Sequence, residues 1–309
     1  MKWMIRYDLC LSWSWKYDAD FARLLEAACR ARGLTFLAVT PKSVEQVLAE
    51  LGAGRVTLGA HFDFSAHDAC FEPLFRWARE QGIRRINPPE VGDWAEDKAT
   101  MHLELITAGI QTPYTIILPP ADQQPALPDV DLAPLGVPFV IKPCYGGGGE
   151  GVILGATSLE QVAQTRKQFP DLKYLLQAQI QSRELDGRQA WFRIIYCAGQ
   201  IYPCWWNTRS HIYTPVTDEQ QTRYELTPLR EITARIAQVC KLDFFSTEIA
   251  NSLDGRWVAV DYVNDQIDLR LQSDARDGVP DAIVAHIAAD LAGLVAGGRE
   301  RKWYEWWLH

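Results

Sequence analysis

The sequence predicts an α/β chain whose C-terminal part turns to α+β, and three observations carry that prediction. Strand-like and helix-like stretches alternate through the first 90 residues. A strand runs into the glycines at 146–149 and out again into another strand. Two apolar strands near the end are joined by a tight turn. The 309 residues are 48% hydrophobic and 23% charged, which suits a chain that buries a sizeable core.

Taken in order, residues 18–32 place Phe21, Leu24, Leu25, Ala28 and Cys29 at helical spacing, and 34–40 is a short apolar, β-branched run. Thr40-Pro41, followed by Val44, Val47, Leu48 and Leu51, predicts a second helix with the proline near its first position. Residues 56–64 read as a third strand, 68–81 as a third helix and 83–87 as a fourth strand. Such alternation with short joints calls for a parallel sheet covered by helices. Pro88-Pro89 marks a boundary, 93–110 reads as one helix ending at Gly109, and 119–137, with five prolines, is a surface connector. Strands are expected at 137–143, 152–155, 174–180, 189–197, 200–207, 244–250 and 257–263, with helices at 158–169, 226–240 and 280–294.

Charge and cysteine usage bound the function. With 31 basic against 39 acidic residues the net charge is −8, which excludes a broad phosphate-binding face for nucleic acid. An anionic small molecule in a local basic pocket stays compatible with it. No apolar run reaches the roughly 18 residues that span a membrane. The amino end meets charge at Lys2, Arg6 and Asp8, without the apolar core of a signal peptide. Seven scattered cysteines with no Cys-x-x-Cys pair suit reduced thiols in a cytoplasm.

Three constellations bear chemistry. Gly146, Gly148 and Gly151 fit G-x-G-x-x-G, yet a strand follows them instead of the helix a dinucleotide site requires. A strand–glycine–strand hairpin can close bare amides over a nucleotide's phosphates, or be a mobile surface hairpin. No Walker sequence and no His-Arg-Asp or Asp-Phe-Gly segment accompanies it. Lys142 stands among apolar neighbours just before the loop, where it either meets an anion such as phosphate or snorkels to water. Lys98, taken alone, reads as a solvated helix charge. Glu248 and Asp261 interrupt the two late strands and should lie side by side, with Asn264 nearby. They then share a proton, hold a divalent cation through oxygen ligands, or each pair with an arginine. His61-x-Asp63 and His67-Asp68 read more simply as a strand end and a helix cap than as a metal site.

In this order the residues resemble the ATP-grasp superfamily, the group containing D-alanine–D-alanine ligase, biotin carboxylase and glutathione synthetase. The resemblance covers 86–265 and rests on INPPEVGDWAEDKATMHLELITAGIQTPYTI, FVIKPCYGGGGEGV, LLQAQI and STEIANSLDGRWVAVDYVND. It implies an ATP-grasp fold with an N-terminal domain at 1–92, a central subdomain at 93–175 carrying the glycine hairpin, and a C-terminal subdomain at 176–309 carrying the metal site. It further implies ATP and Mg2+ as cofactors, with Mn2+ as an alternative. Lys98 and Lys142 would contact the phosphates and Gly146, Gly147, Gly148 and Gly149 would cover them. Gln177, where the family usually has an acid, would face the adenine amino group through its carbonyl. The backbone of Ala178 and Ile180 would grip the ring edge, and Glu184 would take the ribose. Glu248, Asp261 and Asn264 would hold the metal. The family separates its last carboxylate and asparagine by one residue, whereas Asp261 and Asn264 are separated by two. On a regular strand that offset sends them to opposite faces, so either a bulge restores the geometry or Asp265 replaces Asn264.

The resemblance implies an ATP-dependent carboxylate–amine ligase working through an acyl phosphate, with a small-molecule carboxylate and amine as partners and neither nucleic acid nor membrane. The same site on a kinase, or on a nucleotide-binding module without turnover, is the alternative. Arg193 and Arg270 are the catalytic candidates for an acyl phosphate or substrate carboxylate, and Arg209 and His211 follow on a polar loop. Ordinary ion pairs are the competing reading for these residues. The aromatic tail Trp303 to Trp307 packs on the body or forms a homodimer contact.

Overall fold

The computed structural model describes residues 4–66 and 68–297. Its first strand, β1 (Ile5–Trp13), is one whose span the periodicity does not delimit. Leu9, Cys10 and Leu11 are all fully buried there because both faces of the sheet are covered. After β1 come α1 (Ala19–Ala31), β2 (Phe36–Val39), α2 (Val44–Gly52), β3 (Val56–Phe64), α3 (Glu72–Glu80) and β4 (Arg84–Ile86). The strands are parallel in the order β2-β1-β3-β4, so the chain changes direction between β1 and β3, where open α/β sheets bind ligands. Pro41 precedes α2 instead of opening it: the Thr40 amide donates to Ser43 Oγ at 2.9 Å, and the helix begins after that turn. His61 and Asp63 meet Ser12 Oγ at 3.0 and 3.2 Å inside the sheet, and Asp68 caps the next turn by accepting from the Cys70 amide at 3.0 Å. His67 lies outside the described residues.

The helix expected at 93–110 is two helices, α4 (Pro89–Glu96) and α5 (Lys98–Thr107). Asp97 breaks them with an extended ψ of 98°, and its carboxylate accepts from the amides of Ala99 and Thr100 at 2.9 and 3.3 Å. Both helices pack on the C-terminal sheet: Ala95, Met101 and Leu105 share a core with Phe245, Tyr262 and Ile236. Cys144 and Leu175 join the same core, so both helices bridge the C-terminal sheet and the strands of the 93–175 segment.

The central unit is an antiparallel sheet of β5 (Thr115–Leu118), β6 (Phe139–Pro143), β7 (Ile153–Ala156) and, after α6 (Leu159–Thr165), β8 (Tyr174–Ala178), in the order β5-β8-β6-β7. Phe139, Ile141, Val162, Tyr174 and Leu176 fill a core drawn from this unit alone. Because β8 is an inner strand here, the expected division at 175 runs through it.

The C-terminal unit opens with the small hairpin β9 (Glu184–Leu185) and β10 (Arg188–Gln189). It continues as β11 (Trp191–Cys197), β12 (Gln200–Asn207), β13 (Ile212–Pro215), α7 (Asp218–Arg223), α8 (Thr227–Cys240), β14 (Phe244–Asn251), β15 (Trp257–Asn264) and α9 (Asp281–Gly297). The five long strands form an antiparallel sheet ordered β13-β12-β11-β14-β15. One face carries α8; the other meets the N-terminal unit, where Ile195, Phe244 and Trp206 pack with Leu9, Phe62 and the α9 residues Ile287 and Leu291. Asn87, buried after β4, pins this contact by accepting from the amides of Asp243 and Phe244 at 3.1 and 3.2 Å. No described helix is long and apolar enough to cross a membrane. The aromatic tail lies outside the described residues.

Candidate active site

Two lysines meet at the mouth of the glycine hairpin. The break at Asp97 makes Lys98 the first residue of α5, and its Nζ donates to the Gly146 carbonyl at 2.7 Å. Lys142, on β6, is 6% exposed and donates to the Val260 carbonyl at 3.1 Å, with its ammonium 5.3 Å from the centre of the Tyr262 ring. Burial pulls its pKa down to about 8; the charge of Asp261 opposes that pull and Lys98 adds to it. The hairpin closes β6 on β7 through turns without opening a helix. Gly148 takes a φ of +62° there, which explains why no side chain is borne at that position.

Opposite the lysines, the sheet register sets three charged side chains in a row. Arg193 on β11 pairs with Glu248 on β14, and Glu248 with Asp261 on β15. Directly opposed residues share a face of the sheet. Pairing on β15 slips by one residue on each side of Asp261: Glu248 opposes Asp261, while Ser246 opposes Asn264 and Ile249 opposes Ala259. These two bulges resolve the spacing that a regular strand forbids. The first offers the Val260 carbonyl to Lys142; the second returns Asn264 to Asp261, whose Oδ2 accepts from Asn264 Nδ2 at 3.0 Å. Asp265 engages Glu96, its backbone amide donating to Glu96 Oε1 at 3.2 Å and its side chain interacting with the same carboxyl. Burial, with the Asp265 charge behind it, lifts Glu96 to about 7.

The two carboxylates diverge in proton affinity. Burial raises Glu248, and although Arg193 opposes this, the nearby Asp261 charge reinforces it. Burial acts on Asp261 too, but Lys98, Lys142, the Asn264 amide and Arg193 outweigh it and hold that carboxyl below its ordinary value. Glu248 also accepts from Trp191 Nε1 at 2.9 Å and Arg193 Nη1 at 3.4 Å. Among the described residues no group of three or more His, Cys, Asp and Glu side chains gathers. The donor set is two carboxylates and an amide oxygen, hard ligands that fit Mg2+, an ion that keeps waters and phosphate oxygens in its shell.

On the far side of β6, Gln177 is buried and donates its Nε2 to Tyr262 Oη at 2.8 Å and Thr115 Oγ1 at 3.1 Å. The Ala178 amide donates to the Tyr114 carbonyl at 2.8 Å, so a ring edge there would meet other backbone groups of the segment leading to Ile180. Glu184 lies exposed on the β9–β10 hairpin.

Arg193 reaches Ser246 Oγ through Nε and Nη2 at 3.3 and 3.2 Å and lies 5.1 Å from the Trp206 ring centre. Trp206 also borders a cavity of about 490 Å³ lined by Arg188, Trp205, Asn207 and Arg209 among others. His211 stacks on Trp206 at 5.4 Å with an 8° interplanar angle. Arg270 is already engaged, its guanidinium held by Asp268 at 2.6 Å and Asp277 at 2.9 Å. Sequence reasoning passes over Tyr262, His102, Ser246 and Trp191, which support the site from behind. The aromatic beside the candidate ligand Asp261 is the one signal that could have drawn attention to Tyr262.

No protein-family model matches the sequence, and no curated protein matches it either. Solved structures do. D-alanine–D-alanine ligase from Bacillus anthracis complexed with ATP superposes with a TM-score of 0.64 at 14% identity, over 96% of this chain and 98% of that one. A RimK domain ATP-grasp protein from Sphaerobacter thermophilus gives 0.61 at 20% identity, over 94% and 98%. The ATP-grasp ligase PsnB, complexed with a minimal precursor, Mg and ADP, gives 0.62 at 14% identity, over 95% and 99%. With the sheet orders, the glycine hairpin and the paired carboxylates in place, these matches across nearly the whole length show that the chain has the ATP-grasp fold of the superfamily its motifs resemble.

Proposed function

We propose that this protein is an ATP- and Mg2+-dependent ligase that activates a carboxylate as an acyl phosphate and joins it to an amine. The observation that carries the reading is the register of Glu248 against Asp261 with Lys142 and Lys98 over the same face. Two carboxylates and two ammonium groups around one point suit a triphosphate and a divalent cation, and phosphoryl transfer needs little beyond such positioning and charge neutralisation. The solved structures that share the fold hold ATP in one case and Mg with ADP in another.

Lys142 and Lys98 would contact the phosphates, Lys98 exchanging its bond to the Gly146 carbonyl for a phosphate oxygen. The amides of Gly146, Gly147, Gly148 and Gly149 would cover them and keep water from the acyl phosphate. Glu248, Asp261 and Asn264 would hold Mg2+, which supplies charge neutralisation to the transferring group. Gln177 would face the adenine amino group, with backbone of Ala178 and Ile180 along the ring edge and Glu184 at the ribose. Arg193, held by Ser246 and Glu248 beside Trp206, would stand at the acyl phosphate. Arg270 we assign to bracing the loop through Asp268 and Asp277. In the reaction a carboxylate oxygen bonds to the γ-phosphorus as the β–γ bridging bond breaks and ADP leaves. The amine nitrogen then bonds to the acyl carbon, the carbon–oxygen bond breaks, phosphate departs and the nitrogen loses a proton. The cavity beyond Trp206 is of a size for a small acid or amine.

The test is ADP release from ATP and Mg2+ across a panel of amino acids and small acids, repeated with Lys142→Ala. Release should depend on an acid and an amine together and fall about a hundredfold in the variant, as for loss of one transition-state contact. A variant equal to the parent would overturn the site. Phosphorylation of a hydroxyl would mark a kinase, and ATP binding without turnover a binding module.

A further inference from the structure

Behind Gln177 runs a chain of hydrogen bonds closed off from water. His102 Nδ1 lies 2.6 Å from Tyr262 Oη, and that oxygen accepts from Gln177 Nε2 at 2.8 Å. The second hydrogen of the same amide nitrogen goes to Thr115 Oγ1 at 3.1 Å, whose own proton is donated to the Pro113 carbonyl at 2.9 Å. His102, Tyr262 and Gln177 are 3%, 0% and 2% exposed, so water is not an alternative partner. Burial, with Lys142 adding to it, takes His102 down to about 4, and a neutral imidazole can accept at Nδ1. With Nδ1 as the acceptor the Tyr262 proton goes to His102, and its oxygen then offers Gln177 only lone pairs. Both hydroxyls that face the amide have their protons committed elsewhere. An amide turned the other way would set its carbonyl against two acceptors. Its Oε1 has no hydrogen bond among the described residues.

We propose that His102 and Tyr262 are positioning residues that fix the Gln177 amide with its carbonyl toward the base, and that they thereby set a preference for adenine over guanine nucleotides. The proposal rests on the reading of this site as an ATP site. Adenine carries an amino donor at its 6-position and guanine a carbonyl acceptor. A fixed carbonyl bonds the first and repels the second; an amide free to turn accommodates either.

Calorimetric titration of the whole chain with Mg-ATP and with Mg-GTP tests this without any acceptor substrate. The parent should favour ATP by tenfold or more. Tyr262→Phe keeps the ring over Lys142 and removes only the hydroxyl; the ATP-to-GTP preference should fall about tenfold, the worth of one hydrogen bond. His102→Ala should do the same, because the hydroxyl is then free to donate to the amide carbonyl. Adding Gln177→Glu to Tyr262→Phe should restore the preference, since both glutamate oxygens accept whichever way the group turns. A preference unchanged in folded Tyr262→Phe and His102→Ala overturns the proposal while leaving the ATP site intact. A parent that binds neither nucleotide overturns both readings.

Discussion

Asp18 stands between β1 and α1, 5% exposed, and the charge of another carboxylate, Asp268, acts on it. Burial first, and then that like charge, lift its pKa to about 7. Between about pH 4 and 7 the carboxyl thus stays protonated in the folded chain while it ionises in the unfolded one. Stability from this source is complete below about pH 4 and is lost as the pH rises to 7, an upper limit of about 4 kcal/mol. Asp18→Asn, which cannot ionise, should therefore gain stability over the parent at pH 8 and gain nothing at pH 4. Urea unfolding at the two pH values would show it, and an equal difference at both would remove titration from the account.

At the scale of elements, the glycine hairpin separates two kinds of glycine. A Cβ on Gly147 would meet nothing within 4 Å, whereas one on Gly151 would lie 2.8 Å from Phe169 Cε2 on a backbone with φ of +69°. Gly147→Ala should change folding stability by less than about 0.5 kcal/mol. Gly151→Ala should cost about 1–2 kcal/mol for the left-handed backbone, with the displacement of Phe169 added. Denaturant titration of both variants checks the contrast. Much of this architecture was legible in the chain, because a strand running into glycines, or two strands on a tight turn, are local patterns. The break between α4 and α5 was not, since it depends on Asp97 capping a new helix where periodicity continues across it. Nor were the β15 bulges, although the odd spacing of Asp261 and Asn264 called for one: where a strand slips is decided by its partner. Arg270 illustrates the same limit, as its partner Asp277 comes into reach only through the path of the loop.

Across the whole molecule, the N-terminal and C-terminal units share one core, while the central unit has a core of its own and reaches the C-terminal sheet through Cys144 and Leu175. A nucleotide held by both the glycine hairpin and the C-terminal carboxylates would add a further tie between the central and C-terminal units. Mg-ATP at a hundred times its Kd should stabilise the chain by about 2.7 kcal/mol, read as a rise in Tm. Chelation of the metal, or Glu248→Gln with Asp261→Asn, should remove most of that rise. An unchanged rise would mean that the carboxylates hold no cation with the nucleotide. The shared core has one more consequence, for synthesis on the ribosome. Helix α1 packs against α9, so the first 90 or so residues emerge with part of an apolar face that gains this cover only when α9 is made. Throughout translation that nascent segment must be shielded by chaperones or held loosely collapsed, and premature termination before α9 would leave it sticky.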